Sequence, residues 1–216
     1  MIDRFADRRE AGQRLAQHLR DVRAADPVVL ALPRGGVPVA AEVATALGAP
    51  LDVLAVRKLG APGNPEYGVG AIAEDGTKVI DPEATAVLGI RNGELAEIAE
   101  RERAELRRRV RAYRGDRAPA ELRDRTVVVV DDGAATGLTD VAAIHAIRRQ
   151  GPRWVIMALP VCSAEALALL RGEADQVVCL QAPRPFYGVG QWYRDFSQVS
   201  DEQVVATLGE FNHVAA

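Results

Sequence analysis

Cysteine is nearly absent from this chain. The 216 residues hold only Cys162 and Cys179, too few for a disulfide framework and wrongly spaced for a metal cluster. Both read as small buried hydrophobes in a reducing compartment. Histidine is scarce as well. His18 and His145 fall on helical patterns and His213 in the tail, with no pair spaced as metal ligands, so all three read as structural or solvated. Neither sign of charge is in excess: a net charge of −3 gives no electrostatic case for nucleic acid as a partner. No apolar run approaches the length of a membrane span. The opening Met1-Ile2-Asp3-Arg4 lacks the apolar core of a signal peptide. The expectation is a soluble cytoplasmic protein without nucleic-acid or membrane partners. Neither Gly-x-Ser-x-Gly nor Gly-x-Gly-x-x-Gly follows a strand pattern, which argues against a hydrolase-like or dinucleotide-binding module.

What is present is the pattern of one α/β domain. Apolar residues make up 48% of the chain, ordinary for a protein with a real core. Helical spacing covers residues 7–22, Val28–Leu32 reads as a buried strand, Val37–Leu47 as a helix ended by Gly48, and Leu51–Val56 as the next strand. Strand, helix and strand within about thirty residues is a βαβ unit, which favours a parallel sheet. From Arg57 to Gly76 the glycines and prolines predict a long connection, and connections of that length are usually functional or mobile. A short strand is expected at Lys78–Ile80 and a solvated helix at 92–113. Further on come a helix at Leu138–Arg149, strands at Trp154–Leu159 and Gln176–Leu180, and a helix from the Ser163 cap to Leu170. Residues 182–197 read as irregular. Ser200 and Gln203 form a capping box opening a last helix over 201–210. The predicted fold is a doubly wound, mostly parallel sheet of about five strands flanked by helices, with a small C-terminal hood and its ligand at the carboxyl ends of the strands.

Residues 127–139 are the most informative. Four valines, a buried-strand signal, end in Asp131 and Asp132, then a small-residue turn, then a helix from Leu138. A strand, a tight turn and a helix N-terminus together aim backbone N–H groups at one point, which suits a phosphate. The adjacent carboxylates accept hydrogen bonds only and suit vicinal hydroxyls. The two features together describe a site for a phosphorylated sugar.

This segment resembles the signature of the phosphoribosyltransferases, which bind 5-phosphoribosyl 1-diphosphate (PRPP). The resemblance implies that Asp131 and Asp132 contact the ribose hydroxyls. It implies that Gly133, Ala134, Ala135, Thr136, Gly137 and Thr139 cradle the 5′-phosphate. The turn Leu32-Pro33-Arg34-Gly35-Gly36 is similar to the family's diphosphate loop, often built with a non-proline cis peptide. That similarity assigns Arg34, Gly35 and Gly36 to diphosphate, the glycines allowing close approach and positive φ. Arg57 and Lys58 resemble the start of a catalytic loop that closes over the substrate and neutralises departing diphosphate. Glu66 and Tyr67 resemble part of the adenine-type loop, in a loose alignment. The aromatic segment 185–196 resembles the hood of purine-type members, with Phe186 and Trp192 stacking on a base and Asp195 in polar contact with it. Its competing reading is a hydrophobic lid or a homodimer interface.

The implied domain plan has a core at about 27–180, a mobile loop at about 57–76 and a hood at about 181–200, to which the N-terminal helix contributes. The implied activity is a Mg²⁺-dependent transfer of ribose 5-phosphate from PRPP to a nitrogenous acceptor, the Mg²⁺ riding on the diphosphate and no metal held by the protein alone. One departure stands out. Hypoxanthine-type members have a proton-handling aspartate before the Thr-Gly of the signature, and here that residue is Ala135. A purine, a pyrimidine and an unusual amine all remain open as acceptors. So does a non-catalytic PRPP or nucleotide sensor on the same fold.

Overall fold

The computed structural model describes residues 3–212, so His213 lies outside the described residues. Asp7 caps α1 (Arg8–Gln17) by accepting from the Glu10 amide. The helix is shorter than the spacing over 7–22 predicts. A 3-10 turn over Arg20–Ala25 follows it and returns the chain into β1 (Pro27–Ala31). Leu15 and Leu19 are buried nonetheless, because the apolar stripe crosses from helix to turn.

Next come α2 (Gly36–Leu47), closed by left-handed Gly48, and β2 (Leu51–Val53). The predicted single strand Leu51–Val56 is in fact divided. After Val53 the chain leaves the first sheet, and β3 (Val56–Ala61) belongs to a second one with β4 (Asn64–Ala73) and β5 (Lys78–Ile80). The expected irregular connection over 57–76 is therefore corrected to an antiparallel hairpin with a register shift on either side of Gly60. Two of its glycines serve close approach. A Cβ on Gly70 would stand 2.4 Å from the Val79 carbonyl oxygen, and one on Gly60 2.4 Å from that of Pro65. Glycine inside a strand marks such crossings.

The helices α3 (Pro82–Val87) and α4 (Asn92–Arg114) follow, then β6 (Thr126–Val130), α5 (Leu138–Arg148), β7 (Trp154–Val161), α6 (Ala164–Arg171), β8 (Gln176–Gln181) and α7 (Asp201–Asn212). Five strands form one all-parallel sheet in the order β2-β1-β6-β7-β8. The valine run explains itself here. Val127 and Val129 pack with Ile144 and Ile147 on one face, while Val128 and Val130 pack with Val39 and Val43 on the other. A strand covered on both faces has no polar side to present.

The second sheet packs on α4 around Leu59, Ile72, Ile98 and Leu106, and on α5 through Val56, Ala71 and Ala73. A buried ionic network ties it to the first sheet. Arg114, at the end of α4, reaches both oxygens of Asp52 on β2 and Glu74 just beyond β4, and donates to the Val53 carbonyl. The two cysteines, Cys162 buried and Cys179 half-buried, meet with their Sγ atoms 2.9 Å apart, a proximity their separation in sequence did not announce.

Candidate active site

Sheet order fixes where the site lies. From β1 the chain moves outward to β2, whereas from β6 it moves the other way to β7 and β8, so the winding reverses between β1 and β6. A crevice opens at such a switch point, beyond the carboxyl ends of the two strands. The Leu32–Gly36 turn follows β1 and the Asp131–Thr139 segment follows β6, so the two motifs singled out in the sequence become neighbours. The Pro33–Arg34 peptide is cis. Gly35 has φ −61° and ψ −34°, so positive φ is not what it supplies. A Cβ there would lie 1.9 Å from Asp132 Oδ2, and one on Gly36 2.6 Å from the Val130 carbonyl oxygen. Both glycines exist to let the two loops touch.

The paired carboxylates diverge. Successive residues at a strand end project to opposite faces, and here Asp131 lines an open cleft of about 300 Å³ while Asp132 turns toward α1. Asp131 Oδ1 accepts from the Asp132 amide at 2.8 Å. Asp132 Oδ2 accepts from Arg8 Nε at 2.8 Å, and its backbone carbonyl accepts from the Tyr193 hydroxyl at 2.6 Å. Burial, with the charges of Asp132 and Asp140 nearby, pushes the Asp131 carboxyl well above the usual carboxylate range. Burial also raises Asp132, against the opposing charge of Arg8. Asp140, in the first turn of α5, is raised to about 7 by burial, and its Oδ1 has no hydrogen-bond partner.

The rest of the cleft wall comes from Gly133, Ala134, Ala135, Thr136, Gly137, Leu138, Thr139 and Asp140, with Lys58, Gly68, Gly70 and Val189 opposite. Hydrogen bonds pin the turn to the end of β7, the Ser163 amide donating to the Ala134 carbonyl at 2.9 Å. The Ala134 amide donates to Val161, and Ser163 Oγ donates to the Ala135 carbonyl at 2.6 Å. Gly137 takes φ +79° as the residue before α5, and the first-turn amides beyond it have no acceptor within the helix. That geometry suits a phosphate at the positive end of the helix dipole.

The structure places the predicted site residues unequally. It brings Asp131, the whole 133–139 turn and Lys58 into one cleft. Arg57 instead points to α4, where its Nε donates to Glu102 at 2.7 Å, because adjacent strand residues face opposite ways. Arg34 lies with Nη1 3.8 Å from Asp201 at the start of α7. Tyr67 is half-exposed on β4. Phe186 and Trp192 stack on each other, centroids 6.4 Å apart, over the cluster of Phe5, Val161 and Tyr193. Asp195 is exposed, and its carboxylate accepts from the Ser197 amide and hydroxyl.

Sequence reasoning missed two residues. Arg8 lies 124 positions from Asp132, and nothing local to it signals the contact. Asp140, in the first turn of α5, has nothing in its local sequence to set it apart from any acid that favours a helix N-terminus. No group of three or more His, Cys, Asp or Glu among the described residues is arranged to hold a metal, and no described helix is long and apolar enough to cross a membrane.

Compared with known proteins, residues 3–190 match the phosphoribosyl transferase domain. Two Mycobacterium tuberculosis proteins, of strains CDC 1551 / Oshkosh and ATCC 25618 / H37Rv, are provisionally named phosphoribosyl transferases. Each is 46% identical to this chain over 204 residues, covering 94% of it. The chain spans 46% of the length of these relatives. The crystal structure of TT1426 from Thermus thermophilus superposes with TM-score 0.81 at 48% identity, over 96% of this chain and 99% of that one. A hypothetical protein from Neisseria gonorrhoeae with bound ppGpp shares the fold, at TM-score 0.50 and 12% identity, over 100% and 99% of the two chains.

Proposed function

The chain belongs to the phosphoribosyl transferase domain family, and from that premise we propose that it transfers ribose 5-phosphate from PRPP to a nitrogenous acceptor, releasing diphosphate. One observation carries the reading: a cleft-facing carboxylate, a pinned small-residue turn at a helix N-terminus, and Lys58 converge on a single cleft. Asp131 would accept from ribose hydroxyls, and the 133–139 turn would hold the 5′-phosphate. With the sugar fixed at both ends, departure of diphosphate leaves an oxocarbenium-like centre at the anomeric carbon. Lys58, across the cleft, would stabilise the negative charge growing on the leaving group. The hairpin that carries Lys58 would limit water above it.

The donor set suits Mg²⁺ arriving with its own ligands. A cleft with two carboxylates, Asp131 and Asp140, and no group of three such ligands among the described residues fits a hard cation that keeps its waters and binds largely through diphosphate oxygens. When bound, Mg²⁺ would supply charge neutralisation on that leaving group. Ala135 offers no proton acceptor, so the acceptor nitrogen would bring its own acidity or give its proton to a loop residue.

A second reading, a PRPP or nucleotide sensor, draws support from a specific arrangement. Of the three basic residues assigned to diphosphate chemistry, Arg57 is engaged by Glu102 and Arg34 lies beside Asp201. Calorimetric titration of PRPP, with and without Mg²⁺, into wild type and Asp131→Asn tests the shared premise. Binding lost in the variant supports the phosphoribosyl site, whereas no binding to wild type refutes it. Diphosphate release with a panel of purine, pyrimidine and amine acceptors then separates enzyme from sensor.

A further inference from the structure

Two cysteines make no disulfide framework, yet the fold brings this pair to one place. Cys162 follows directly on β7, and Cys179 lies on β8, the edge strand of the parallel sheet. Their Sγ atoms stand 2.9 Å apart, about 0.9 Å longer than a disulfide bond. Cys162 is buried and Cys179 half-buried. The Cys179 thiol donates to the Gln181 carbonyl at 3.1 Å, which leaves the Cys162 thiol as the donor between the two sulfurs. That hydrogen bond holds the Cys179 thiol below its ordinary value against the effect of burial, while the same contact and burial hold Cys162 above. Cys179 is thus both the more accessible and the more readily ionised sulfur, as attack on an oxidant requires.

Cys162 also stands between β8 and the phosphate turn. On one side its amide donates to the Gln181 carbonyl at 3.0 Å. On the other it forms a parallel bridge with Ala134, and Ser163, next in sequence, donates to the Ala134 and Ala135 carbonyls. We propose that Cys162 and Cys179 are a redox modification site, closing to an intrachain disulfide with hydrogen peroxide, reopening with a dithiol, and loosening the phosphate turn when closed. The Cys179 thiolate attacks the O–O bond, giving a sulfenic acid and hydroxide. The Cys162 sulfur then attacks the Cys179 sulfur and expels its oxygen as water. Each sulfur loses one electron, the peroxide gains two, and the two thiol protons end in the two waters. A dithiol reverses the bond through a mixed disulfide. Drawing Cys162 toward β8 draws it away from the turn on its other side.

The reduced protein and Cys179→Ser, changed at the less buried position, are treated with hydrogen peroxide, denatured and alkylated to count thiols. The wild type should lose both thiols, with a mass lower by two hydrogens and no cross-linked dimer, and regain them with dithiothreitol. Cys179→Ser should keep its remaining thiol. Wild-type thiols that survive, gain oxygen or link two chains overturn the site, as does equally fast loss of the thiol in Cys179→Ser. Amide exchange at Ala134 and Ser163 reads the coupling without a ligand, and should be faster by about threefold or more after oxidation, the worth of one weakened hydrogen bond. Unchanged exchange overturns the coupling. Ribose 5-phosphate affinity should fall in parallel, a readout that rests on the phosphoribosyl reading. A reduced wild type that does not bind refutes that reading, and thiol count and exchange still decide the fate of the pair.

Discussion

Gly35→Ala should reverse the sign of its effect when one other side chain is removed. At φ −61° and ψ −34° the backbone at residue 35 is helical, and alanine adopts it without strain. Taken alone, that change would stabilise by about 0.4–1 kcal/mol, because alanine has fewer unfolded conformations to lose. Space decides otherwise. The added methyl would stand 1.9 Å from Asp132 Oδ2 and 2.6 Å from its Cγ, more than about 1 Å short of a normal contact. Asp132 cannot swing aside freely, because Arg8 holds the same oxygen at 2.8 Å. An overpacking cost of about 1–3 kcal/mol should therefore win, lowering Tm by about 2–4 °C per kcal/mol for a chain of this size. In an Asp132→Ala background the clashing atoms are gone, and Gly35→Ala should become neutral or stabilising. Chemical denaturation of the four proteins measures both costs. An equal penalty in the two backgrounds would refute the claim that glycine is needed here for proximity to Asp132.

Three other outcomes are expected. Arg114→Met leaves Asp52 and Glu74 buried without their cation, and should destabilise by about 3–5 kcal/mol in denaturant unfolding; a loss below about 1 kcal/mol would show that the network tying the two sheets is dispensable. Burial raises Asp140 to about 7, so the folded protein holds a proton that the unfolded chain releases near the ordinary carboxylate value. Its stabilising contribution is then full below about pH 4 and lost as pH rises through about 7, with a slope of at most about 1.4 kcal/mol per pH unit. Asp140→Asn should flatten the stability profile in that window, and a profile unchanged by the substitution would contradict the assignment. Arg34→Ala should weaken diphosphate more than ribose 5-phosphate in competition binding; equal losses would take Arg34 out of the diphosphate site.

The sheet was legible because its signal is local. Val127–Val130 needs both faces covered, and two faces covered means a parallel, doubly wound sheet. The acidic pair and turn were legible for a similar reason, since strand, turn and helix start follow one another directly. The hairpin at 56–73 was not. Its glycines and prolines imitate an irregular loop, and the reason for them, carbonyls of Pro65 and Val79 passing within 2.4 Å of a would-be Cβ, exists only once the strands have paired. The same limit hid the different orientations of Arg57 and Lys58. Arg8 was beyond reach altogether, since its meaning depends on a carboxylate and an aromatic ring brought from opposite ends of the sequence.

The way the hood is assembled bears on how the protein matures during synthesis. The Phe5 amide donates to Trp192, the Arg194 amide to Phe5 and the Asp195 amide to Ala6, so the hood is a splice of early and late chain. A nascent chain that has emerged only as far as β7 already contains every strand needed for the switch point, yet Arg8 has no Phe196 to stack on and no Ser197 to hold. Contacts of such sequence separation form late and slowly. Arg8, the counter-charge of Asp132, would thus stay unanchored until Phe196 and Ser197 have left the ribosome, which makes an ordered hood one of the last features of the molecule to appear.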